Sequence, residues 1–579
     1  MTRGIGFVGL KPVISTGVAL GVALIDLLLV VGAAAALGVL LTGGWEWETR
    51  FGLVRAYTAS NLLYGLALAG VLRLTVLGRF NRFLGVVDLG VLGARLEGRL
   101  SALASAASQL DGRTAGRIAA AVILASSIAK ALNAHYYYGF CCGDDVEIQE
   151  MSLGYLFGEH WPIWDIRSAV YPVGFIYPAQ AAAYGMGFVE PRQLVFAGRL
   201  VVVGFSAACL YLSYRLAVRC AGVHAAGLCA VAILAVSKVF STFGSSELPG
   251  AVAATFLVGS CLLLLKATPG RVVIAAACLG LAASLRFSEV FFVAAAVLAL
   301  GASRRWLSAV ALGILSTACF LAILGTADYL YRGEPFTALV RIVDFTLVKQ
   351  LSSRGFQPFH YYLSSAWSWA DWVLLVFVAF GVTRAPLTIA IWFIVPVVCL
   401  SALPHKEARY LVPVMPFVSV LGGLGAWSVF SQDAAARRPG RSVSRRLAVA
   451  AAFVLALLLE VDGFRFRRSE AAVDAVRLVA DRGAAKVVAL ERSWMAGGHL
   501  YLRGARSLLE IEESHLVNAS ALQRFLTTSG ADYVGLQRDT LAARGYDALL
   551  LRLGFTELDP LSPPRAYRVF ARRRPAFEG

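Results

Sequence analysis

Long apolar runs, separated by short polar segments, recur along the whole chain of 579 residues. Residues 13–42 and 447–461 are examples near the two ends. A helix of about 20 apolar residues crosses a hydrocarbon core of about 30 Å. In lipid, only helices and closed barrels satisfy their own backbone polar groups. The runs do not alternate apolar with polar positions, as barrel strands do. The pattern therefore predicts an all-α polytopic membrane protein.

The positions of the runs predict about 13 transmembrane helices. We expect these spans at 13–42, 51–77, 116–136, 194–216, 223–241, 249–267, 270–286, 287–302, 305–325, 366–382, 384–402, 409–429 and 446–462. Residues 170–188 are also apolar enough to span. However, Pro172 and Pro178 interrupt this segment, so we expect it to lie in the membrane interface.

The charged residues indicate how the spans are oriented. The chain carries a formal charge of +17, and its arginines lie mostly in short loops between apolar runs. This is the pattern of cytoplasmic loops, so anionic lipid headgroups are the expected counter-charge, and nucleic acid is not an expected partner. With the N-terminus in the cytoplasm, the segments 144–150 and 405–409 lie outside. A composition rich in Ala, Arg and Gly favours a bacterial protein in the cytoplasmic membrane.

The last part of the chain is far more polar than the rest. Short β-like runs occur there at Lys486–Glu491, Ser507–Ile511, Asp532–Gln537 and Tyr567–Ala571. Helical stretches such as Glu470–Asp481 alternate with them, which predicts a small α/β domain outside the cytoplasm. We therefore divide the chain into an N-terminal two-helix extension with a basic loop (1–110), a transmembrane core (111–465) and a C-terminal soluble domain (466–579).

An acidic segment follows the predicted span 116–136. Asp144, Asp145, Glu147 and Glu150 place four carboxylates within seven residues. Their mutual repulsion requires a proton, a metal ion or a basic partner nearby. A hydrated loop is one explanation. A general base, a divalent-cation site or both are the functional ones.

Two further segments carry candidate chemistry. Residues 160–168 place Trp161 and Trp164 near Arg167, an arrangement that suits sugar stacking as well as a membrane-interface belt. Residues 405–409 hold His405, Lys406, Glu407 and Arg409 between two spans. Lys406 and Arg409 would share one face if this segment were helical, where they could bind a phosphate. Because outer loops contain few cations, a functional role is favoured over a plain loop.

Isolated ionisable residues add three more candidates. These are Glu247, Arg286 and His360, all on the predicted outer side. Each could instead be a polar group paired between helices, although ionisable residues at membrane depth are functional candidates by default.

Taken together, the motifs resemble the lipid-phosphate-mannose-dependent mannosyltransferases of the GT-C superfamily. The string His405-Lys406-Glu407-Ala408-Arg409-Tyr410-Leu411-Val412-Pro413-Val414-Met415-Pro416 is similar to that family's His-Lys-Glu-x-Arg-Phe motif followed by x-x-Pro-x-x-Pro. Other family elements resemble Asp144-Asp145, Trp161 to Trp164, Ile166-Arg167-Ser168, Tyr171-Pro172, Gly244 to Glu247, and Asp328 to Gly333. Cys142-Gly143 stands where the family has His-Pro, and Asp145 replaces Glu. The resemblance covers roughly 116–430.

The resemblance implies an inverting glycosyltransferase that moves mannose from a polyprenyl-phosphate donor to a hydroxyl of a lipid-linked, glycolipid or protein acceptor. In this interpretation Asp144 is the base, with Asp145 as its catalytic partner. Donor phosphate would be bound by His405, Lys406, Arg409 and Arg286. Substrate would contact Glu147, Trp161, Trp164, Arg167, Glu247, His360 and Glu407.

Two alternatives remain open from the residues themselves. One is a transferase of the same superfamily that uses another lipid-linked sugar. The other is a polytopic transporter or flippase, in which the carboxylates relay a cation or a proton. A transporter places its charges near the bilayer midplane on broken helices, whereas these motifs lie at the ends of spans.

Overall fold

The computed structural model describes residues 25–27, 29–39, 45–49, 52–56, 62–67, 69, 82–83, 87–88, 102, 105–140, 142–159, 166–349, 356–432, 442–462, 470–482, 487–491, 497–502, 507–558 and 567–572.

Most of the described chain before residue 470 is helical. Between residues 112 and 302 the helices are α1 (Gly112–Tyr136), α2 (Gly143–Phe157), α3 (Tyr177–Gly185), α4 (Pro191–Ala221), α5 (His224–Val236), α6 (Lys238–Phe243), α7 (Gly250–Leu264), α8 (Pro269–Leu285) and α9 (Val290–Ala302). Those that follow are α10 (Trp306–Arg332), α11 (Thr337–Val343), α12 (Tyr361–Ser364), α13 (Trp372–Val382), α14 (Leu387–Ala402), α15 (Met415–Gln432) and α16 (Ser442–Asp462). Short 3₁₀ segments at Phe287–Glu289, Ala366–Ser368 and Ala408–Val414 connect some of them.

In the part of the chain that the structure describes, four helical stretches are long and apolar enough to cross a membrane. They are Gly112–Tyr136, Pro191–Ala221, Trp306–Arg332 and Ala408–Ser431. Eight shorter apolar helices of 10–17 residues accompany them within the described ranges, among them an N-terminal one at Ile25–Val39. The prediction of a predominantly helical protein with many apolar helices is confirmed.

Two details of the predicted spans are wrong. The span expected from residue 51 does not begin there, because strands β1 (Trp45–Thr49) and β2 (Gly52–Ala56) form an antiparallel hairpin with Thr49 opposite Gly52. The span expected at 223–241 is broken at Ser237, whose hydroxyl oxygen accepts a hydrogen bond from the Phe240 N–H and caps α6. A second small hairpin joins β3 (Arg82–Phe83) to β4 (Val87–Asp88).

The segment expected to be interrupted by prolines is helical. A π-helical turn at Pro172–Ile176 leads directly into α3. Pro172 and Pro178 each lie in the first turn of their element, where the missing N–H has no helical partner to lose. The two prolines therefore begin helical elements, which corrects the expectation that they break them.

Close helix packing holds α13 against α15 in the apolar core. A Cβ atom on Gly381 would lie 1.9 Å from the carbonyl oxygen of Leu421, and one on Gly425 would lie 1.9 Å from that of Phe377. Small residues let helix backbones approach closely where lipid offers no hydrophobic gain. The two glycines thus set the spacing between α13 and α15, and α15 directly follows the 405–414 segment.

The C-terminal part forms a five-stranded mixed sheet. Its strands are β5 (Val487–Glu491), β6 (Ser507–Ile511), β7 (Tyr533–Gln537), β8 (Phe555–Glu557) and β9 (Tyr567–Arg572), in the order β6-β5-β7-β9-β8. Strand β5 pairs in parallel with β6 and β7, while β9 pairs antiparallel with β7 and β8. Helices α17 (Glu470–Asp481), α18 (Gly498–Tyr501), α19 (Ala519–Ser529), α20 (Arg538–Arg544) and α21 (Tyr546–Arg552) accompany the sheet.

Candidate active site

The acidic segment is the first turn of helix α2. Asp144 and Asp145 both lie in this turn, where the N–H groups at the start of a helix favour negative charge. Their side chains have different environments: Asp145 is fully buried, whereas the Asp144 side chain keeps 22% of its surface exposed. Asp144 is therefore the carboxylate of the pair that a substrate can reach.

Two arginines from distant parts of the chain bind the Asp144 carboxylate. Arg167 Nη2 contacts its Oδ1, and Arg409 Nη1 lies 2.9 Å from its Oδ2. Arg167 also donates through Nε to Glu147 Oε2 at 2.6 Å. The acidic helix, the 166–168 segment and the basic motif thus meet at one carboxylate.

The basic motif is organised around Arg409. Its Nε contacts Glu407, and its Nη1 also lies 2.9 Å from the Cys142 sulfur at the N-cap of α2. Glu407 in turn contacts His405 Nε2 at 2.9 Å. A planar guanidinium with several donors suits this bridging role, which a lysine ammonium could not fill.

Arg286 approaches the same cluster from the end of helix α8. Its guanidinium lies over the ring of Tyr410, 4.6 Å from the ring centroid, and Nη1 lies 3.4 Å from the Arg409 carbonyl oxygen. Arg286 forms no ion pair with any residue in the described ranges. Unlike Arg167 and Arg409, it therefore carries a charge that no carboxylate of the described residues balances at close range.

Lys406 does not lie beside Arg409 on a helix. The 3₁₀ segment begins at Ala408, after the extended Glu407, so Lys406 lies outside the helical turn, which corrects the expected shared face. Its ammonium is buried and donates to the carbonyl oxygens of Leu403 at 2.5 Å and Gln357 at 2.7 Å. In this structure Lys406 ties the basic loop to the 356–358 segment.

Glu247 lies in a fully buried ion pair beneath the site. Arg199 Nε donates to Glu247 Oε1 at 2.5 Å, with side-chain exposures of 1% and 0%. The other nitrogens of Arg199 donate to three carbonyl oxygens of the chain leading to α2, those of Ala134, Tyr137 and Gly139. Arg199 therefore fixes the path of the chain that delivers Asp144.

A second arginine not selected from the sequence supports Arg167. Arg332 Nη2 donates to the Arg167 carbonyl oxygen at 2.6 Å, and its Nη1 donates to Asp328 Oδ1 at 2.6 Å. Asp328 is buried and also accepts from the Ala338 N–H. The available sequence signal for Arg199 was a cation inside an apolar helical run, whereas Arg332 is the last residue of α10 and had no such signal.

Of the remaining candidates, His360 is the one that the structure describes, and it makes none of these contacts. His360 is exposed at the N-cap of α12. Trp161 and Trp164 lie outside the described residues. The described residues contain no group of three or more His, Cys, Asp or Glu side chains that could hold a metal ion.

The C-terminal domain packs against the chain that precedes Asp144. Tyr138 donates to Asp474 Oδ1 at 2.6 Å, and Phe140 is buried in a cluster with Val473 and Leu500. Gly497 has φ of +61° and approaches Phe140 so closely that a Cβ there would lie 2.5 Å from the ring. The domain thus contacts the same 137–140 chain that Arg199 holds from the other side.

The pKa shifts of the site follow from burial and pairing. Burial raises the pKa of Glu147, with Asp144 and Glu150 adding to the effect and Arg167 opposing it. Burial opposes the charged form of Arg167, but Asp144 and Glu147 raise its pKa. Burial likewise opposes the charged form of Glu407, but Arg409 and His405 hold the pKa of Glu407 below its usual range. Arginine pairing thus lowers both pKa values, but burial outweighs it at Glu147, whereas pairing outweighs burial at Glu407.

Comparison with known proteins identifies one matching family and several similar solved structures. The model of the Alg9-like mannosyltransferase family matches residues 153–466. ArnT from Cupriavidus metallidurans in the apo state is similar at 15% identity, with 78% of this chain and 97% of that chain covered and a TM-score of 0.50. AglB from Archaeoglobus fulgidus gives 12% identity, coverage of 78% and 74%, and a TM-score of 0.46. The comparison with curated proteins finds no match. The likeness to ArnT shows a shared fold.

Proposed function

Because the chain belongs to the Alg9-like mannosyltransferase family, we propose that this glycosyltransferase moves mannose from a polyprenyl-phosphate donor to an acceptor hydroxyl with inversion. The transmembrane core, 111–465, carries the reaction in this proposal. The sugar, the acceptor and the residue roles below are parts of the same proposal.

One observation supports it above the others: Arg409 contacts both Asp144 and Glu407. This joins the acidic motif to the basic motif in a single charged cluster at the ends of α1, α8 and α14. Transfer from a sugar phosphate needs both kinds of group within reach of one substrate. A base must accept the proton of the attacking hydroxyl, and cations must stabilise the phosphate that leaves.

Asp144 is the proposed base. The acceptor oxygen attacks the anomeric carbon of the donor, the bond from that carbon to the phosphate oxygen breaks, and the hydroxyl proton passes to the Asp144 carboxylate. Attack opposite the leaving phosphate inverts the anomeric carbon. Arg167 and Arg409 orient the carboxylate, and the buried Asp145 and the neighbouring Glu147 fix the first turns of α2.

Arg286 is the proposed main contact of the donor phosphate. Its guanidinium has no carboxylate partner among the described residues, yet it lies against Tyr410 at the edge of the cluster. An arginine fork matches phosphate geometry better than an ammonium does. His405 and Arg409 add positive charge nearby, while Lys406 and the Glu247 pair hold the loops that carry these groups.

We place this cluster on the extracytoplasmic side of a bacterial cytoplasmic membrane. The basic residues Arg215, Arg219, Lys266 and Arg271 lie at the far ends of the helices that approach the site. Cytoplasmic loops collect such residues. The isoprenoid tail of a membrane-embedded donor would lie between the apolar helices, and the acceptor would approach from outside, beside the C-terminal domain.

The test is a transfer assay with purified full-length protein. Synthetic polyprenyl-phosphate mannose carrying radiolabel would be offered with a panel of lipid-linked and glycolipid acceptors, beside matched polyprenyl-phosphate glucose and pentose donors. Labelled product from the mannose donor supports the proposal, and the productive acceptor identifies the second substrate. Product from another donor alone would replace mannose by that sugar. Absence of product from all three donors would contradict the proposed reaction.

A further inference from the structure

A cavity of about 410 Å³ lies at the end of the helical bundle opposite the candidate active site. It is lined by the C-terminal ends of α4, α7 and α9 and by the first turn of α14. The other end of α9 follows Glu289 near Arg286, and the other end of α14 precedes His405. These helices have 13 and 16 residues. At about 1.5 Å per residue they separate the two sites by roughly 20 Å or more.

Three cations surround the opening of this cavity. Arg219, Lys266 and Arg305 line it, and all three are exposed. None of them forms an ion pair with a residue in the described ranges, and the described lining contains no carboxylate. Three like charges around one opening repel one another, and a bound anion would relieve that repulsion.

The floor of the cavity is apolar. Leu264, Leu300 and Trp392 line it and are buried. The Trp392 indole N–H is buried without a hydrogen-bond partner among the described residues. This nitrogen has almost no accessible surface, so the floor presents mainly apolar side-chain carbon to the cavity.

We propose that the cavity binds the phosphate headgroup of an anionic phospholipid. The three cations would balance the phosphodiester charge, and the apolar floor would contact the glycerol and first acyl carbons. Basic pockets between transmembrane helices bind such headgroups. A free phosphate would use the cations but leave the apolar floor without a partner. The proposed site is separate from the transfer reaction and does not depend on it.

Binding would be measured by native mass spectrometry of the full-length protein in detergent. Phosphatidylglycerol and phosphatidylethanolamine with the same acyl chains would be titrated in parallel. The test variant is Arg219→Gln/Lys266→Gln/Arg305→Gln. The matched control is Arg215→Gln/Arg304→Gln/Arg384→Gln, which removes three exposed cations at the same end that do not line the cavity. Ser303→Trp, at an exposed lining position, would fill the cavity while keeping every charge.

We expect one phosphatidylglycerol to bind about tenfold or more tightly than phosphatidylethanolamine. The triple lining variant and Ser303→Trp should each lose this preference, and the control triple should change affinity less than twofold. Equal binding of the two lipids, or an equal loss in the control triple, would overturn the proposal in favour of a diffuse basic surface. In a last titration, excess inorganic phosphate would be added to the protein with bound phosphatidylglycerol. Displacement of the lipid by it would assign the cavity to free phosphate instead of lipid.

Discussion

Arg409 Nη1 lies 2.9 Å from Asp144 Oδ2, so that a guanidinium from the 3₁₀ segment before α15 contacts the first turn of α2. The same side chain contacts Glu407 and the Cys142 sulfur. The two halves of the proposed machinery, base and phosphate site, therefore share one residue.

The shared role makes Arg409 sensitive to a conservative change. Arg409→Lys keeps the charge but cannot contact Asp144, Glu407 and Cys142 together. We expect kcat/KM for mannose transfer to fall about 10²-fold. Arg524→Lys, an exposed position in the C-terminal domain, is the control. Transfer by Arg409→Lys at the rate of that control would contradict a bridging role.

The buried Arg199–Glu247 pair predicts a large, non-additive effect on stability. Arg199→Met leaves Glu247 unpaired and three carbonyls without their donor, so the free energy of unfolding should fall by about 3–5 kcal/mol. The double variant Arg199→Met/Glu247→Gln should recover part of that loss because no buried charge remains. Thermal unfolding of the two single variants and the double variant measures the coupling. Strict additivity of the three values would show that the two side chains do not act as a pair.

Contact between the C-terminal domain and the chain before Asp144 can be tested at a glycine. Gly497→Ala places a methyl group 2.5 Å from the Phe140 ring, and Gly530→Ala places one in open space; φ is +61° and +63° respectively. Both changes cost roughly 1 kcal/mol for the left-handed backbone. Gly497→Ala should cost about 1–3 kcal/mol more through overpacking. The melting temperature and the transfer rate of the two variants measure the difference. Equal values in both would indicate that this packing is unimportant.

The pKa directions at Glu147 and Glu407 predict opposite stability changes. Glu407 has a lowered pKa, so its contribution is present above its unfolded pKa and is lost as the pH falls through its folded pKa. Glu147 has a raised pKa, so stability is greatest below its unfolded pKa and falls as the pH rises through its folded pKa.

At neutral pH, Glu407→Gln should therefore lower the melting temperature and Glu147→Gln should raise it. The Glu147→Gln difference should vanish below the unfolded pKa of about 4.3, and the Glu407→Gln difference only at still lower pH, below the lowered folded pKa of Glu407. Melting curves recorded between acid and neutral pH check the signs. A shift of the same sign in both variants at neutral pH would contradict the different balance of burial and pairing at the two residues.

Local patterns predicted the C-terminal domain well. The helix expected at Glu470–Asp481 and the strand expected at Ser507–Ile511 have those bounds in the structure. Alternation and apolar runs there reflect burial within a small sheet. The edge strand β8 was missed because three residues at a sheet edge carry little pattern.

The site was only partly predictable. Charge segregation between loops placed the 144–150 and 405–409 segments on one side of the membrane. It could not separate Asp144 from Asp145, because which of two adjacent side chains is buried depends on the packing of α2. Charge segregation also could not predict that Lys406 donates to backbone carbonyls, because this depends on the path of the chain before the 3₁₀ segment. The support from Arg199 and Arg332 depends on long-range contacts that spacing does not encode.

The most direct test of the account is the initial rate of radiolabelled mannose transfer by Asp144→Asn. The matched control is Asp539→Asn, an exposed aspartate of the C-terminal domain. The account predicts that Asp144→Asn folds with a melting temperature near that of the wild type and binds the donor, yet transfers at least about 10²-fold more slowly. The control should transfer at the wild-type rate. Transfer by Asp144→Asn at the rate of the control would contradict the assignment of Asp144 as the base.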